Sequence, residues 1–468
     1  MSEFVAIVLA AGQGTRMKSE RAKVLHEIAG RPMVAWSVDT ALRAGAREVV
    51  AVVGHGREEV TAALAERFDR RVRTAVQSEQ RGTGHAVACA LPAIEGWDGP
   101  VVILYGDCPL IPETAVGALV AATGASTAPL ALVTAILDDP TGYGRILRDG
   151  GKVTGIREHR DCSEVERAIT EVNPGIYAID AAFLRQSLDR LSADNAQGEL
   201  YLTDLVGIAA QSSVVESVRW DMADLRGIND RWELAEADGR MRERILRAHA
   251  AAGVTLRAPA TILVDADVRI APDAVLEPNV VLRGACTIGA GARIDVGCVL
   301  ENVTVDAGAW LKPFTVATES SVGPRVHTGP FAHLRPATEL GPDVRIGNFV
   351  ETKKTRMGRG SKANHLAYLG DGVIGEDVNV GAGTIFCNYD GVRKHTTTLE
   401  DGSFVGSDCQ IVAPRTVGKG AYVATGTTVT RDVPADALAI ARVRQTNKEG
   451  YASRLLARFA ADKRDAKK

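Results

Sequence analysis

Aliphatic side chains recur at every sixth position in two stretches of this chain's second half: Ile270, Leu276, Leu282, Ile288, Ile294, Leu300, and then Val405, Ile411, Val417, Val423, Val429. Helical faces repeat near 3.6 residues and strand faces every 2, so neither simple element has this period. A six-residue repeat fits a parallel β-helix, in which three short strands make one coil and stacked coils bury one aliphatic per face. Small residues follow several of these aliphatics, as in Ile288-Gly289, Ile374-Gly375, Val380-Gly381, Val405-Gly406 and Val417-Gly418. They suit the tight corners between faces. The repeat fills residues 254 to about 443 and is expected to break between Pro330 and Lys362 and again between Asn388 and Asp401. Residues inserted into a coil must leave the stack, where they can reach a neighbour or a ligand.

At 468 residues the chain exceeds one typical domain. Upstream of the repeat, the apolar runs Val5 to Leu9, Val49 to Val53, Val101 to Tyr105 and Leu130 to Thr134 alternate with amphipathic stretches, which predicts an α/β domain with a mostly parallel sheet over residues 1–229. Residues 230–253 hold helix formers of mixed charge, and Asp230-x-x-Glu233 offers a capping box, so they read as a connecting helix. Residues 254–468 are the β-helix domain with a basic tail from Tyr451. A formal net charge of -3 argues against a nucleic-acid or anionic-membrane partner. No apolar run reaches the ~20 residues that span a bilayer, and the opening run to Ala11 lacks a basic leader and reads as a buried strand. Seven cysteines without a Cys-x-x-Cys pair fit neither a disulfide framework nor a zinc site and suit a reducing cytoplasm. Cys108, Cys286 and Cys298 read as packing residues.

The first run leads into Leu9-Ala10-Ala11-Gly12-Gln13-Gly14-Thr15-Arg16, where a buried strand should end and a helix begin, the place where open α/β sheets bind phosphates. The glycines let backbone approach a ligand, and Arg16 supplies positive charge. A Gly-x-Gly alone also fits a plain tight turn. Tyr105-Gly106-Asp107 puts a carboxylate at the end of another apolar run, a hard oxygen ligand suited to magnesium, or equally a turn residue. Between them lies Gln77-x-x-x-x-Gly82-Thr83-Gly84-His85, whose glutamine amide can donate and accept at once, matching the edge of a uracil.

These motifs, with Lys23, Pro140-Thr141-Gly142-Tyr143-Gly144-Arg145-Ile146, Glu158-His159, Asn173 and Gly227-Ile228-Asn229, resemble the sugar-1-phosphate nucleotidylyltransferases. More narrowly they resemble the uridylyltransferase half of the bifunctional enzymes that make UDP-N-acetylglucosamine for bacterial cell-wall and lipopolysaccharide precursors. The resemblance implies a Rossmann-like N-terminal domain followed by a left-handed β-helix. By it, Leu9, Ala10, Ala11, Gly12 and Lys23 hold nucleotide phosphates, with Arg16 and Lys23 offsetting charge in catalysis. Gln77, Gly82 and Thr83 read uracil, and Tyr105, Gly106 and Asp107 line the nucleotide site. Gly144, Glu158 and Asn173 hold the amino sugar, and Asp107 and Asn229 ligate Mg²⁺. The family's usual proline before the lysine is Ala22 here, which removes a φ restraint but leaves the charge.

A polar cluster lies between the two clean repeat runs: Arg335-Pro336, Gly347 to Lys354, Asn364-His365-Leu366-Ala367-Tyr368, Asn379 and Asn388-Tyr389-Asp390-Gly391. A lone histidine is often an ordinary surface residue. Stacked coils could bring Glu351 and His365 to one side, where a carboxylate would raise the basicity of the imidazole. This region resembles the acetyltransferase half of the same bifunctional family, in which acetyl passes from acetyl-CoA to glucosamine-1-phosphate. The resemblance makes His365 the general base and Glu351 its orienting partner. Arg335 and Lys353 would bind the sugar phosphate, Tyr368 and Asn379 the sugar, and Ala382, Asn388, Tyr389, Ser407, Thr425 and Arg442 acetyl-CoA. Thr425 stands where relatives often carry alanine. The family's homotrimer, with an acyl site shared between neighbouring β-helices, is a further implication. Two alternatives stay open on the residues alone: a single-activity nucleotidylyltransferase whose β-helix is structural or regulatory, and a nucleotide-sugar binding or scaffold protein.

Overall fold

The computed structural model describes residues 3–125 and 128–466. The chain forms two compact units, Met1–Ala248 with Val264–Asp267, and His249–Leu263 with Val268–Lys468.

In the first unit the strands order as Val72–Val76, Ala46–Val53, Phe4–Ala10, Pro100–Tyr105, Tyr177–Asp180, Leu130–Ile136, Glu171–Asn173, Gly144–Asp149 and Lys152–Arg157. The first four run parallel, and Glu216–Arg219 pairs in parallel with Leu130–Ile136. Every residue of Phe4–Ala10 is buried. Its side chains alternate between two cores: Ala6 and Val8 join one, Val5, Ile7 and Leu9 the other. Burial on both faces explains the continuous apolar runs. After Phe4–Ala10 the chain builds outward on one side, then returns to place Pro100–Tyr105 on the other, so a crevice opens where these two strands end.

The helix Arg231–Ala251 lays Leu234, Ala237, Met241 and Ile245 against Ile28, Met33, Trp36 and Leu110. Asp230 caps it by accepting from the backbone of Trp232 and Glu233, both at 2.9 Å. The reciprocal bond of a capping box goes elsewhere: the Glu233 carboxylate accepts from the Asn229 backbone at 2.6 Å and so fixes the residue before the cap.

The second unit stacks short parallel strands into three sheets of eleven, ten and nine strands, each strand pairing with the third one after it except at the final pair, Tyr422–Val423 with Leu438–Ala439. This is the architecture of a left-handed parallel β-helix. Inward residues align coil on coil, as in Leu276 with Ile294 and Leu311, and Leu282 with Leu300 and Ala317. The expected break between Pro330 and Lys362 is absent: strands His333–Leu334, Glu339–Leu340, Arg345–Asn348, Glu351–Lys353 and Arg356–Met357 continue all three sheets. Coils here are often one residue shorter, which shifts the phase of the hexad, and Ala317, Thr328, Thr352 and Ala363 replace aliphatics at inward positions. The buried threonines satisfy one another, Thr338 and Thr352 hydroxyls lying 3.0 Å apart. The second break is present. Between Ile374 and Leu399, partners in one sheet, the extra residues form an exposed loop closed by a bridge between Tyr389 and Lys394.

One corner carries Phe314, Phe331, Phe349 and Leu366, all at positive φ. L side chains rarely adopt that conformation, and the stacked rings, with centroids 5.2 and 5.5 Å apart, provide compensating contact. Tyr451–Asp465 is a helix. Among the described residues no helix is long and apolar enough to cross a membrane.

Candidate functional site

The crevice at the end of Phe4–Ala10 is a cleft of about 290 Å³ lined by Leu9, Ala10, Ala11, Gly12, Lys23, Gln77, Gly82, Thr83, Tyr105 and Asp107. The loop after the strand turns at Gly14, where φ is +64° and a Cβ would lie 2.4 Å from that of Lys23, so only glycine lets the lysine stem pack there. A Cβ at Gly12 would meet nothing within 4 Å, leaving its backbone open toward a ligand. Lys23 Nζ donates to Asp107 at 2.5 Å and to Asn229 Oδ1 at 3.4 Å, while Arg16 donates to the same amide oxygen at 2.9 Å. Two cations, a carboxylate and an amide oxygen from three separate segments therefore meet at one point. The Ile228 backbone donates to the Asp107 carbonyl at 2.9 Å, which holds the two oxygen donors side by side.

At the opposite wall Gln77 is almost fully buried. Its amide nitrogen lies 3.2 Å from both the Gly82 carbonyl and His85 Nδ1, so the donors point inward and Oε1 remains for a ligand. The expectation that this amide both donates and accepts toward a base is thereby narrowed to acceptance, because the protein itself uses both hydrogens. Thr83 accepts from the Leu202 backbone at 3.0 Å. Gly144 pairs with Asn173, and a Cβ on it would lie 3.6 Å from the Glu158 carboxylate, so these three gather on the antiparallel side of the sheet. The Asn173 amide is held by Tyr177 at 2.6 Å and Gly175 at 3.0 Å. Burial raises the Glu158 carboxyl above the usual range, opposed by a hydrogen bond from Thr203 at 3.1 Å. Burial likewise raises the Tyr105 phenol and the Cys108 thiol. Cys108 is a packing residue with an inert thiol.

In the second unit Thr352 points inward, so Glu351 and Lys353 face out from one strand. Arg335 lies one coil before Lys353, with its backbone donating to Thr352 at 2.9 Å, and Gly370 lies one coil after. A Cβ at Gly370 would lie 2.5 Å from the Tyr368 hydroxyl and 2.6 Å from the Asn388 amide nitrogen, so the glycine lets those two side chains pack over the position stacked on Lys353. The Lys394 ammonium beside it, and then Arg335, push the Lys353 ammonium below the usual lysine range. Crowded cations of this kind await an anion.

Glu351 accepts from Arg335 at 2.6 Å. Among the described residues no hydrogen bond joins it to His365: Glu351 pairs in register with Tyr368, and His365 with Asn348, at the end of a strand in a different sheet. Within one chain Glu351 thus organises Arg335 and leaves the exposed His365 ring free. Lys362 pairs with Asn379 and Ala363 with Val380, and continuing this register puts Ala382 one coil beyond His365. Asp408 donates to the Ala382 carbonyl at 2.7 Å and Gly426 to that of Ser407 at 2.9 Å, which stacks Ala382, Ser407 and Thr425 on the same edge. Arg442 donates to the Thr425 carbonyl at 2.5 Å. His365 therefore stands at the foot of a straight column containing four of the six residues expected to contact acetyl-CoA. The other two, Asn388 and Tyr389, begin the inserted loop, and Asn388 is anchored on Asp371 at 2.5 Å. Asn379 stacks on Lys362, on a different sheet from Tyr368.

A family model described as MobA-like NTP transferase domain matches residues 6–196, and one described as GMPPB C-terminal domain matches residues 259–330. The bifunctional protein GlmU of Sorangium cellulosum is 59% identical over 97% of each chain. The chain belongs to the bifunctional GlmU family. Its GlmU relatives include those of Trichlorobacter lovleyi, 50% identical over 96% of this chain and 98% of the relative, and Geobacter sulfurreducens, 49% identical over the same shares.

Against this GlmU background the geometry adds residues that the sequence motifs passed over. Gln80 donates to the Ala11 carbonyl at 2.7 Å and, with Glu199, lines the cleft. Thr203 holds Glu158. Lys394 joins the cationic group through the inserted loop, and the basic pair Arg393-Lys394, one residue after Asn388-Tyr389-Asp390-Gly391, was the available signal.

Proposed function

We propose that the two units carry the two reactions of UDP-N-acetylglucosamine synthesis. The β-helix transfers acetyl from acetyl-CoA to glucosamine-1-phosphate, and the N-terminal domain then transfers uridylyl from UTP to N-acetylglucosamine-1-phosphate, releasing pyrophosphate. The observation that carries this reading is the edge column of His365, Ala382, Ser407 and Thr425, together with the group of cations Arg335, Lys353 and Lys394 elsewhere on the same unit. A scaffold has no need of an exposed imidazole at the end of an extended track or of like charges held together. Residues 1–229, 230–253 and 254–468 are the uridylyltransferase domain, the connecting helix and the acetyltransferase domain.

For acetyl transfer, Arg335 and Lys353 hold the sugar phosphate, Glu351 fixes Arg335, and Tyr368 and Asn379 contact the sugar. The pantetheine arm lies along Ala382, Ser407 and Thr425, with Arg442, Asn388 and Tyr389 at its polar contacts. His365 accepts a proton from the sugar amine as nitrogen bonds to the thioester carbonyl, and the carbon–sulfur bond then breaks to release CoA. For uridylyl transfer, Gln77, Gly82 and Thr83 hold uracil. Leu9, Ala10, Ala11, Gly12, Tyr105 and Gly106 line the nucleotide, and Gly144, Glu158 and Asn173 bind the amino sugar. A sugar-phosphate oxygen bonds to the α-phosphorus of UTP as the bond to pyrophosphate breaks, and Arg16 and Lys23 offset the charge that gathers.

Asp107 and Asn229 supply one carboxylate and one amide oxygen, a sparse hard-oxygen set suited to Mg²⁺, which keeps waters and takes further ligands from phosphates. Bound there, Mg²⁺ would supply charge neutralisation at the phosphates. The Lys23 ammonium now spanning both oxygens would turn toward the nucleotide. The reading includes a homotrimer, supported by the exposed apolar ladder Phe314, Phe331, Phe349 and Leu366 next to His365. It also includes a cytoplasmic setting, supported by seven cysteines that form no disulfide. The test supplies the whole chain with each substrate pair in turn and follows pyrophosphate and free CoA. Both products are expected; pyrophosphate without CoA would leave the β-helix a scaffold.

A further inference from the structure

His85 is the third residue of the helix Thr83–Ala90 and is half-buried against Gln77. The Gln77 amide has two hydrogens, and its nitrogen lies 3.2 Å from two groups, the Gly82 carbonyl and His85 Nδ1. A carbonyl only accepts, so the amide nitrogen must face Gly82. The second hydrogen then requires Nδ1 to accept, which puts the imidazole proton on Nε2, where Cys89 Sγ lies at 3.7 Å. Gly82 cannot drift from this arrangement: at φ +102° it packs so closely that a Cβ would lie 2.6 Å from the Leu200 carbonyl. With both hydrogens consumed, Gln77 offers the cleft a lone acceptor, Oε1.

Uracil presents a donor at N3, whereas cytosine presents a lone pair there. An acceptor held rigidly opposite N3 favours the first and repels the second. We propose that His85 is a positioning residue for pyrimidine selection, keeping Oε1 of Gln77 toward the base by occupying the amide's second hydrogen. The inference rests on the reading that Gln77 meets the base. Without His85 the second N–H lies unsatisfied in a side chain that is 5% exposed, and rotation of the amide would turn it into the cleft, where it can meet the cytosine N3.

The test uses the full chain and measures kcat/KM for UTP and for CTP with N-acetylglucosamine-1-phosphate. His85→Phe keeps a ring but loses the acceptor, His85→Ala removes both, and His85→Asn can return an oxygen to the place of Nδ1. Acetyl transfer by the same preparations reports folding. The expected result is a UTP-to-CTP ratio narrowed about tenfold or more in H85F and H85A, the ratio lost with one hydrogen bond, and largely recovered in H85N. An unchanged ratio in both H85F and H85A, while Gln77→Ala lowers it, would overturn the role of His85 alone. An unchanged ratio in Q77A would overturn the base contact itself. H85N as indiscriminate as H85F would mark the loss as one of packing and would also overturn the proposal.

Discussion

The N-terminal cleft is closed around its own side chains, whereas the acyl site lies along a convex edge with its proposed base exposed. In the cleft, Arg16, Lys23, Asp107 and Asn229 are bonded to one another before any substrate arrives. On the β-helix, the His365 ring has no partner among the described residues, and its neighbours Phe349 and Leu366 are 58% and 61% exposed. A twisted sheet with helices on both faces makes a crevice by topology alone. A stack of coils makes only edges and faces, so it gains concavity through insertions such as the 388–396 loop or through a second copy of the chain. One architecture thus builds a complete site within a single unit, while the other presents a ruled surface on which register does the positioning.

The strongest way to break the first half of this contrast is Asp107→Ala. It should lower uridylyl transfer by about 10²–10³-fold or more, measured as pyrophosphate release, because it removes the carboxylate bonded to Lys23 and leaves that ammonium without its ion-pair partner. Acetyl transfer should be unaffected; an equal fall in CoA release from folded protein would mean the two sites are not separate. Glu351→Gln asks whether Glu351 serves Arg335 or His365. The observed 2.6 Å contact with Arg335 predicts a rise of about tenfold in KM for glucosamine-1-phosphate with kcat little changed. A fall in kcat alone would restore Glu351 as the partner of His365, across a contact absent within one chain.

The smallest effect concerns the antiparallel extension that carries Asn173. Arg148 grips Glu171 through two bonds of 2.8 and 2.7 Å and holds its carboxyl below the usual glutamate range. A carboxyl lowered on folding adds stability that is present above the unfolded value and is lost as pH falls toward the folded one. Glu171→Gln should therefore lower the melting temperature of the N-terminal unit by about 2–4 °C at neutral pH. The difference should vanish in acid. Calorimetry at two pH values checks this, and a pH-independent difference would trace the loss to packing.

The hexad was legible wherever coils kept eighteen residues and aliphatic interiors, as from Ile270 to Leu300. It became illegible from Val316 to Lys362 because one-residue deletions at corners shift the phase without disturbing the stack, and because threonines that bond to one another can fill inward positions. Among the cleft residues, Gly14 and Asp107 were legible beside strand ends, while Lys23 and Asn229 entered through the family resemblance. The bond from Arg16 to Asn229, 213 residues away, was not legible, since it depends on where the chain returns after the whole sheet is built. Glu351 was paired with His365 by their spacing and by the family resemblance. Within one chain, residues fourteen apart sit on different faces, while residues one coil apart stack directly.

Catalysis at the β-helix edge rests on His365, and His365→Ala is the decisive variant. A protonated sugar amine cannot attack a thioester, so a positioned base is required near neutral pH. Acetyl-transfer turnover should fall by roughly 10²-fold or more, while acetyl-CoA binding and uridylyl transfer from supplied N-acetylglucosamine-1-phosphate stay near wild type. Full acetyltransferase activity in H365A would contradict that role.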